Sequence, residues 1–123
     1  MIMLISVPSG APQNFVVIAD DSRSLRLTWE PPSEENRNGP ITSYTTVIIS
    51  DGGFFMEPTV VNTQLILSDL TPFTTYICSV AANTALGQGP HTMNVTITTP
   101  EDGMKMLLIL MSCLLQFHVI YSS

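Results

Sequence analysis

The side chains that could do chemistry are few and scattered along the chain. His91 and His118 have no cysteine or carboxylate nearby at the spacing of a metal site. Gly87 and Gly89 precede Pro90 and a strand-like run, whereas a phosphate-binding turn must open a helix whose amides meet the anion. No Gly-x-Ser-x-Gly turn or Walker-type loop occurs. We therefore predict that the chain is not an enzyme and takes no cofactor or metal.

One modification motif is present. Asn94, Val95 and Thr96 form an N-glycosylation sequon. In an extended chain, Asn94 points away from Met93 and Val95, so we expect an exposed side chain. The sequence thus predicts Asn94 as a glycosylation site, provided that the chain is secreted.

Charge and cysteine content limit the classes of partner. Ten acidic residues stand against four basic ones, and the basic residues are scattered. Nucleic-acid backbones and anionic lipids both require clustered Lys and Arg, so neither is expected as a partner. Cys78 is predicted inside the core and Cys113 in the C-terminal tail. No disulfide is expected, because two cysteines placed so differently are unsuited to pairing.

The central element is a predicted strand that begins after Pro72, at Thr74. Residues 74–82 alternate, with Tyr76, Cys78 and Val80 on one side. Because successive side chains of a strand point to opposite faces, we place these three on a core. The Gly-containing run from 84 to 90 is predicted to be a hairpin loop.

The other predicted strands show the same alternation. They cover residues 13–18, 25–29, 41–50, 54–61, 65–67 and 92–99. Trp29 and Tyr44 are predicted to point inward. Leu70 is predicted to pack at the corner that leads into the central strand. Val47 and Ile49 point outward, although they are more apolar than solvent requires. Two explanations stay open for this pair: cover by neighbouring side chains, or a surface for a partner.

Three motifs resemble the fibronectin type III family. Leu70, Pro72, Tyr76, Val80, Ala82 and Asn83, with the Gly-rich turn that follows, are similar to that family's E–F corner and strand F. Residues 25–32, Leu-Arg-Leu-Thr-Trp-Glu-Pro-Pro, are similar to strand B, and residues 38–44, Asn-Gly-Pro-Ile-Thr-Ser-Tyr, to the entry into strand C. The resemblance implies an all-β, immunoglobulin-like sandwich of seven antiparallel strands, with sheets A-B-E and C'-C-F-G. It also implies that Tyr76 hydrogen-bonds to the corner backbone. The predicted structural core comprises Trp29, Tyr44, Leu70, Tyr76, Cys78 and Val80.

The predicted domain covers residues 8–102 and has a short apolar segment, 1–7, in front of it. That segment is interpreted either as the ragged start of a fragment or as a linker on the domain edge. Residues 103–123 form a hydrophobic tail, almost wholly apolar from Met104 to Tyr121. As a helix, 18 residues reach about 27 Å, just short of a hydrocarbon core. Three interpretations stay open: membrane insertion as an anchor, a lipid-anchor signal, and a non-native end.

The resemblance is to single repeats of neural adhesion molecules and receptor-type protein tyrosine phosphatases. It implies a non-catalytic protein-binding or spacer module of a cell-adhesion or receptor-type surface protein, membrane-attached with an extracellular domain. Its partners would be other proteins. The Arg-Gly-Asp tripeptide that integrin-binding members display is absent. The alternative is an intracellular structural module of a muscle or cytoskeletal protein, since the same fold works there as a mechanical link.

Overall fold

The chain forms a sandwich of two antiparallel sheets in a computed structural model that describes residues 4–102. Its strands are β1 (Gln13–Asp21), β2 (Ser24–Glu30), β3 (Ser43–Ser50), β4 (Phe55–Met56), β5 (Thr59–Val60), β6 (Gln64–Leu67), β7 (Thr75–Thr84), β8 (Gly87–His91) and β9 (Val95–Thr98). One 3-10 turn, Glu34–Asn36, interrupts the β2–β3 connection. The smaller sheet has the order β1-β2-β6; the larger has β4-β3-β7-β8, with β5 also paired to β3 and β9 to β7.

The predicted all-β sandwich and its two sheets are confirmed. Nine strand pieces occupy the seven predicted positions, because β4 and β5 together fill the C' position and β8 and β9 fill the G position. Pro58 separates the first two pieces, since proline cannot donate to a ladder. Between the other two, the Thr92 amide bonds to the Val80 carbonyl at 2.8 Å outside regular pairing. Both breaks lie in edge strands, where a ladder is most easily interrupted.

The smaller sheet follows the apolar alternation of β2. Leu25 and Leu27 are fully buried and Trp29 is 4% exposed, so every second residue of the strand faces the core. Arg26, on the other side, pairs across the sheet with Ile18 of β1 and Ile66 of β6. The outer face of this sheet is therefore mixed, with one charged side chain between two apolar ones.

The larger sheet is built around β7, as the sequence pattern indicated. β7 pairs with β3 over eight residues, from Ser43 opposite Asn83 to Ser50 opposite Tyr76. Its other edge pairs with β8 and then with β9. Because β7 has a partner strand on each side, its outward-facing side chains are largely covered. Ser79, for example, is 7% exposed.

The loop predicted for residues 84–90 is shorter in the structure. β7 runs to Thr84 and β8 begins at Gly87, which leaves a two-residue turn. Gly87 adopts φ +143°, and the turn uses that freedom. Pro90 lies within β8, a position that an edge strand tolerates because its missing N–H can face solvent. The prediction was wrong because glycine and proline signal a turn without preventing edge pairing.

The core lies between the sheets and is aromatic at its centre. The Trp29 ring packs edge-on against Tyr44 at 5.5 Å and against Phe15 at 6.4 Å, centroid to centroid. At the other end, Phe54 packs edge-on against Tyr76 at 5.9 Å. The six predicted core residues are each at most 4% exposed: Trp29, Tyr44, Leu70, Tyr76, Cys78 and Val80. Residues from both sheets therefore meet in one buried cluster.

The predicted tail, from Met104 to Tyr121, lies outside the described residues. Across residues 4–102, the structure contains no helix of the length and apolar character that crossing a bilayer demands.

Candidate protein-interaction surface

The corner before β7 is fixed by a hydrogen-bond network around Tyr76. The Tyr76 hydroxyl accepts a hydrogen bond from the Thr71 amide at 3.0 Å, and the ring is 1% exposed. Thr99 closes the same corner: its Oγ1 donates to the Thr71 carbonyl at 2.8 Å and accepts from the Thr74 amide at 3.0 Å. Phe73, at φ +49°, donates its amide to the carbonyl of Pro100 at 3.0 Å. Residues 99–102, which we name the C-terminal joint, are thus bound to the E–F corner through Thr99 and Pro100.

A second tie holds the end of the described chain to the β1–β2 turn. The Asp102 carboxylate accepts hydrogen bonds from Ser22 at 2.7 Å and from Arg23 at 2.8 Å. The hydrogen bond from Ser22, followed by that from Arg23, holds the pKa of Asp102 below its usual value, although more than half of the side chain is exposed. The contacts with the E–F corner and with the β1–β2 turn together fix where the chain leaves the sandwich.

At the opposite pole, residues 4–9 lie across the β2–β3 loop and the β7–β8 turn; we name them the N-terminal strap. The Ser6 amide bonds to the Asn38 carbonyl at 2.8 Å, and the Ser9 amide to the Asn36 carbonyl at 2.8 Å. The Thr84 hydroxyl donates to the Ser6 carbonyl at 2.8 Å. The strap therefore packs on the domain through specific hydrogen bonds.

Two glycines make room for the strap. A Cβ at Gly39 would lie 2.8 Å from Ile5, and one at Gly89 would lie 2.7 Å from Pro8. Neither space could hold a side chain without movement of the strap. Residues 1–7 were interpreted as the ragged start of a fragment or as a linker on the domain edge. No local signal in the sequence pairs residues 4–9 with residues 36–39, because that contact exists only in three dimensions.

The strap leaves an apolar surface at this pole. Leu4 is 86% exposed, Val7 41% and Leu86, in the neighbouring turn, 63%. Such side chains on a loop-bearing pole of a rigid scaffold suit contact with another protein.

A serine–histidine pair lies on the outer face of the larger sheet. Ser79 Oγ and His91 Nδ1 are 3.1 Å apart, and His91 Nε2 lies 2.9 Å from the Gln88 amide nitrogen. His91 is the last residue of β8. Ser79 is 7% exposed, so its hydroxyl is closed to a substrate. The Ser79–His91 pair thus joins β7 to β8. In residues 4–102, no three metal-binding side chains come together.

The remaining predicted residues occupy simple environments. Asn94 is exposed, three positions after the end of β8. Cys78 is a buried, free cysteine, and burial raises the pKa of its thiol to about 11. The thiol therefore stays protonated near neutral pH and is unsuited to metal binding or nucleophilic attack.

Comparison with known proteins places this geometry in a family. The fibronectin type III domain model matches residues 10–98. Receptor-type tyrosine-protein phosphatase F from Bos taurus is 39% identical over 94 residues, which cover 76% of this chain and 5% of that protein. Protein sidekick-2 from Gallus gallus is 36% identical over 102 residues, covering 78% and 5%. The chain thus spans about a twentieth of the length of these relatives.

Solved structures agree with the fold. The FN5 domain of Drosophila Lar superposes with a TM-score of 0.64 at 26% identity, covering 76% of this chain and 98% of that one. Titin domains A168–A170 give 0.67 at 21% identity, covering 78% and 33%, which shows the fold alone. The predicted family is confirmed: the chain belongs to the fibronectin type III domain family.

Proposed function

We propose that the chain is a non-catalytic protein-binding or spacer module of a cell-adhesion or receptor-type surface protein, with its sandwich on the extracellular side. One observation carries the proposal. The relatives that match at 36% to 39% identity are a receptor-type phosphatase and a sidekick protein, and the match covers a single domain's length in each.

The contacts at the two poles support a spacer role. At one pole, Asp102 and Thr99 tie the outgoing chain to the β1–β2 turn and the E–F corner. At the other, the N-terminal strap is hydrogen-bonded across two loops. A module whose entry and exit are both fixed sets the direction between its neighbours, as a rigid spacer must.

Two finer features belong to this proposal. Asn94 is exposed in a sequon, so it can accept a glycan when the chain enters the secretory pathway. Membrane attachment would use Met104 to Tyr121, outside the described residues, where a span of about 27 Å as a helix is adequate for a thin bilayer.

The test is fractionation of the full chain from mammalian cells, with glycosidase treatment. We expect the chain in the membrane fraction after alkaline extraction, and a mobility shift on deglycosylation. The Asn94→Gln variant should lack the shift, and Asn14→Gln, which alters an asparagine outside any sequon, should keep it. A chain that is unglycosylated and remains in the cytosol would overturn the proposal.

The same experiment addresses the alternative of an intracellular structural module. The fold does not distinguish the two functions, because titin domains A168–A170 share it at a TM-score of 0.67. That module would be cytosolic, without glycan on Asn94, and would extract with the cytoskeleton. Secretory glycosylation excludes it.

A further inference from the structure

The contacts of the N-terminal strap converge on one dipeptide, Asn38 and Gly39. The Ser6 amide donates to the Asn38 carbonyl at 2.8 Å, and the Asn38 side chain donates through Nδ2 to the Val7 carbonyl at 3.0 Å. Ile5 covers the glycine, since a Cβ on Gly39 would lie 2.8 Å from Ile5 Cγ2. Three consecutive residues of the strap therefore hold these two positions.

This dipeptide is also chemically labile. Among the asparagines of the chain, Asn38 alone is followed by glycine. An asparagine side chain loses its amide when the backbone nitrogen of the next residue attacks its Cγ, and glycine leaves that nitrogen unshielded because it has no Cβ. The Gly39 amide makes no hydrogen bond to any residue between 4 and 102. Its nitrogen is therefore not held by another group in this part of the chain.

The backbone explains why a labile dipeptide occurs at this turn. Asn38 has φ +58° and Gly39 has φ +145°. Asparagine enters the left-handed region more readily than most residues, and glycine adopts positive φ without steric cost. A side chain at position 39 would in addition collide with Ile5. The turn and its contact with the strap thus favour the same two residue types that react together.

We propose that Asn38 is a deamidation site, and that its reaction releases the N-terminal strap. The Gly39 nitrogen gives its proton to a base in solvent and forms a bond to Asn38 Cγ. The bond from Cγ to Nδ2 then breaks, ammonia leaves with a proton from solvent, and a succinimide ring remains. Water opens the ring at either carbonyl, which gives aspartate or isoaspartate. The net change converts an amide and water into a carboxylate and ammonium, so water is the co-reactant.

The bound strap restrains this reaction. For the ring to close, Asn38 Cγ must swing onto the Gly39 nitrogen, and that rotation breaks the hydrogen bond from Nδ2 to the Val7 carbonyl. Ile5 packs against the glycine and restricts the space in which the ring forms. The reaction therefore proceeds from a locally opened state of the strap, and its rate follows the population of that state.

The products do not re-form the contact with the strap. An ionised aspartate has acceptor oxygens where Nδ2 donated, so two acceptors face each other at the Val7 carbonyl. Isoaspartate in addition takes the carbonyl that accepts from Ser6 out of the backbone. Opening thus promotes the reaction, and the reaction keeps the strap open.

The released strap matters for the spacer role. Once the strap is free, it no longer fixes the direction in which the chain enters the sandwich. That consequence rests on the proposed function, whereas the reaction at Asn38 and the release of the strap do not.

Peptide mass spectrometry tests the reaction on the full chain, incubated in mild detergent at pH 8 in water labelled with heavy oxygen. The peptide that contains Asn38 should exchange its amide for a labelled carboxylate and give both aspartate and isoaspartate. Asn62 is the internal reference, because it is exposed and precedes the β-branched Thr63, which shields the attacking nitrogen. Asn38→Gln should stop the change. Loss of the Asn38 amide no faster than that of Asn62 would overturn the proposal.

Two variants of the full chain test whether the strap restrains the reaction. Thr84→Val removes the hydroxyl that donates to the Ser6 carbonyl at 2.8 Å and leaves Asn38 itself unaltered. The deamidation rate should rise about fivefold, the factor that one net hydrogen bond represents. Ile5→Ala uncovers the glycine and should act in the same direction. Circular dichroism checks that both variants are folded.

The matched control for the strap variants is Thr98→Val. It also removes a hydroxyl hydrogen bond, the 2.8 Å contact between Thr98 and Thr75, but at the end of the larger sheet next to the E–F corner. It should leave the deamidation rate unchanged. A rate that neither strap variant raises, or that the control raises equally, would contradict the restraint.

Hydrogen exchange at the strap tests the release. The Ser6 and Ser9 amides are bonded to the β2–β3 loop, so exchange of the peptide that contains them reports strap opening. Asn38→Asp supplies the aspartate product directly and should speed this exchange about fivefold. Asn62→Asp adds the same charge at another exposed asparagine and should leave it unchanged. Exchange that Asn38→Asp does not alter, or that both variants raise equally, would disprove the release.

These measurements separate the inference from the proposed function. None of them depends on glycosylation at Asn94 or on the membrane fraction. A cytosolic, unglycosylated chain would overturn the proposed function while the reaction at Asn38 proceeds as expected. An inert Asn38 in a glycosylated membrane protein would overturn the inference alone.

Discussion

Removing one hydroxyl group at the E–F corner tests whether that corner holds the sandwich together. Tyr76→Phe keeps the buried ring and deletes only the oxygen that accepts from the Thr71 amide at 3.0 Å. An unpaired, partly buried N–H costs about 1–3 kcal/mol. Because Thr71 itself is exposed, water can reach part of the site. We therefore expect a loss of about 1–2 kcal/mol in the free energy of unfolding.

That loss corresponds to a readily measured change in melting temperature. A domain of this size loses about 4–8 °C per kcal/mol, which gives a decrease of about 5–15 °C. Thermal melting followed by circular dichroism, with urea titration at 25 °C, measures it on residues 1–102.

Tyr44→Phe is the matched control for this change. Tyr44 is also buried, at 3% exposure, but its hydroxyl makes no hydrogen bond to any residue between 4 and 102. Deleting that hydroxyl should change the free energy of unfolding by less than about 0.5 kcal/mol. Equal effects of the two substitutions, or a Tyr76→Phe protein that melts unchanged, would refute the role assigned to the corner.

Three further predictions concern the core, the buried thiol and the C-terminal joint. Trp29→Ala should lower the free energy of unfolding by about 3–5 kcal/mol, and a melting temperature that barely moves would contradict its burial. With Cys113 replaced by serine, Cys78 should not react with Ellman's reagent at pH 8 until guanidinium unfolds the protein. The reason is that burial raises the pKa of this thiol to about 11. Prompt labelling of the native protein would contradict the burial of Cys78. The pKa of Asp102 is lower in the folded than in the unfolded state, so its bonds to Arg23 and the neighbouring turn stabilise the fold above about pH 4 and are lost on acidification. Asp102→Asn should therefore flatten the stability profile below pH 4, and an unchanged profile would disprove the contribution.

Alternation and turn chemistry were sufficient to predict the strands and the core. Tyr76, Cys78 and Val80 lie at every second position, and an extended chain can only place them on one face. Pro72 cannot donate to a strand ladder, so the strand must begin after it. These are local constraints, so the sequence expresses them directly.

The ends of strands were less predictable, because pairing decides them. Gly87 and Pro90 signal a turn, yet both lie in β8 because Asn83 and Thr84 provide backbone partners for the strand. Residues 92–94 lie between β8 and β9, although the sequence pattern predicts one continuous strand over residues 92–99. Whether a residue extends a strand depends on its neighbour across the sheet, which sequence alone does not specify.

By itself, the sequence determined the fold class, the buried aromatic residues and the family, because these follow from side-chain period and short motifs. Tertiary structure alone decided the packing of the N-terminal strap on residues 36–39 and the bonds of Asp102 to the β1–β2 turn. Each of these depends on groups that are distant in the chain and meet only after the two sheets close. The local pattern of side chains predicts which secondary structure a segment forms, whereas tertiary packing determines which residues that segment contacts.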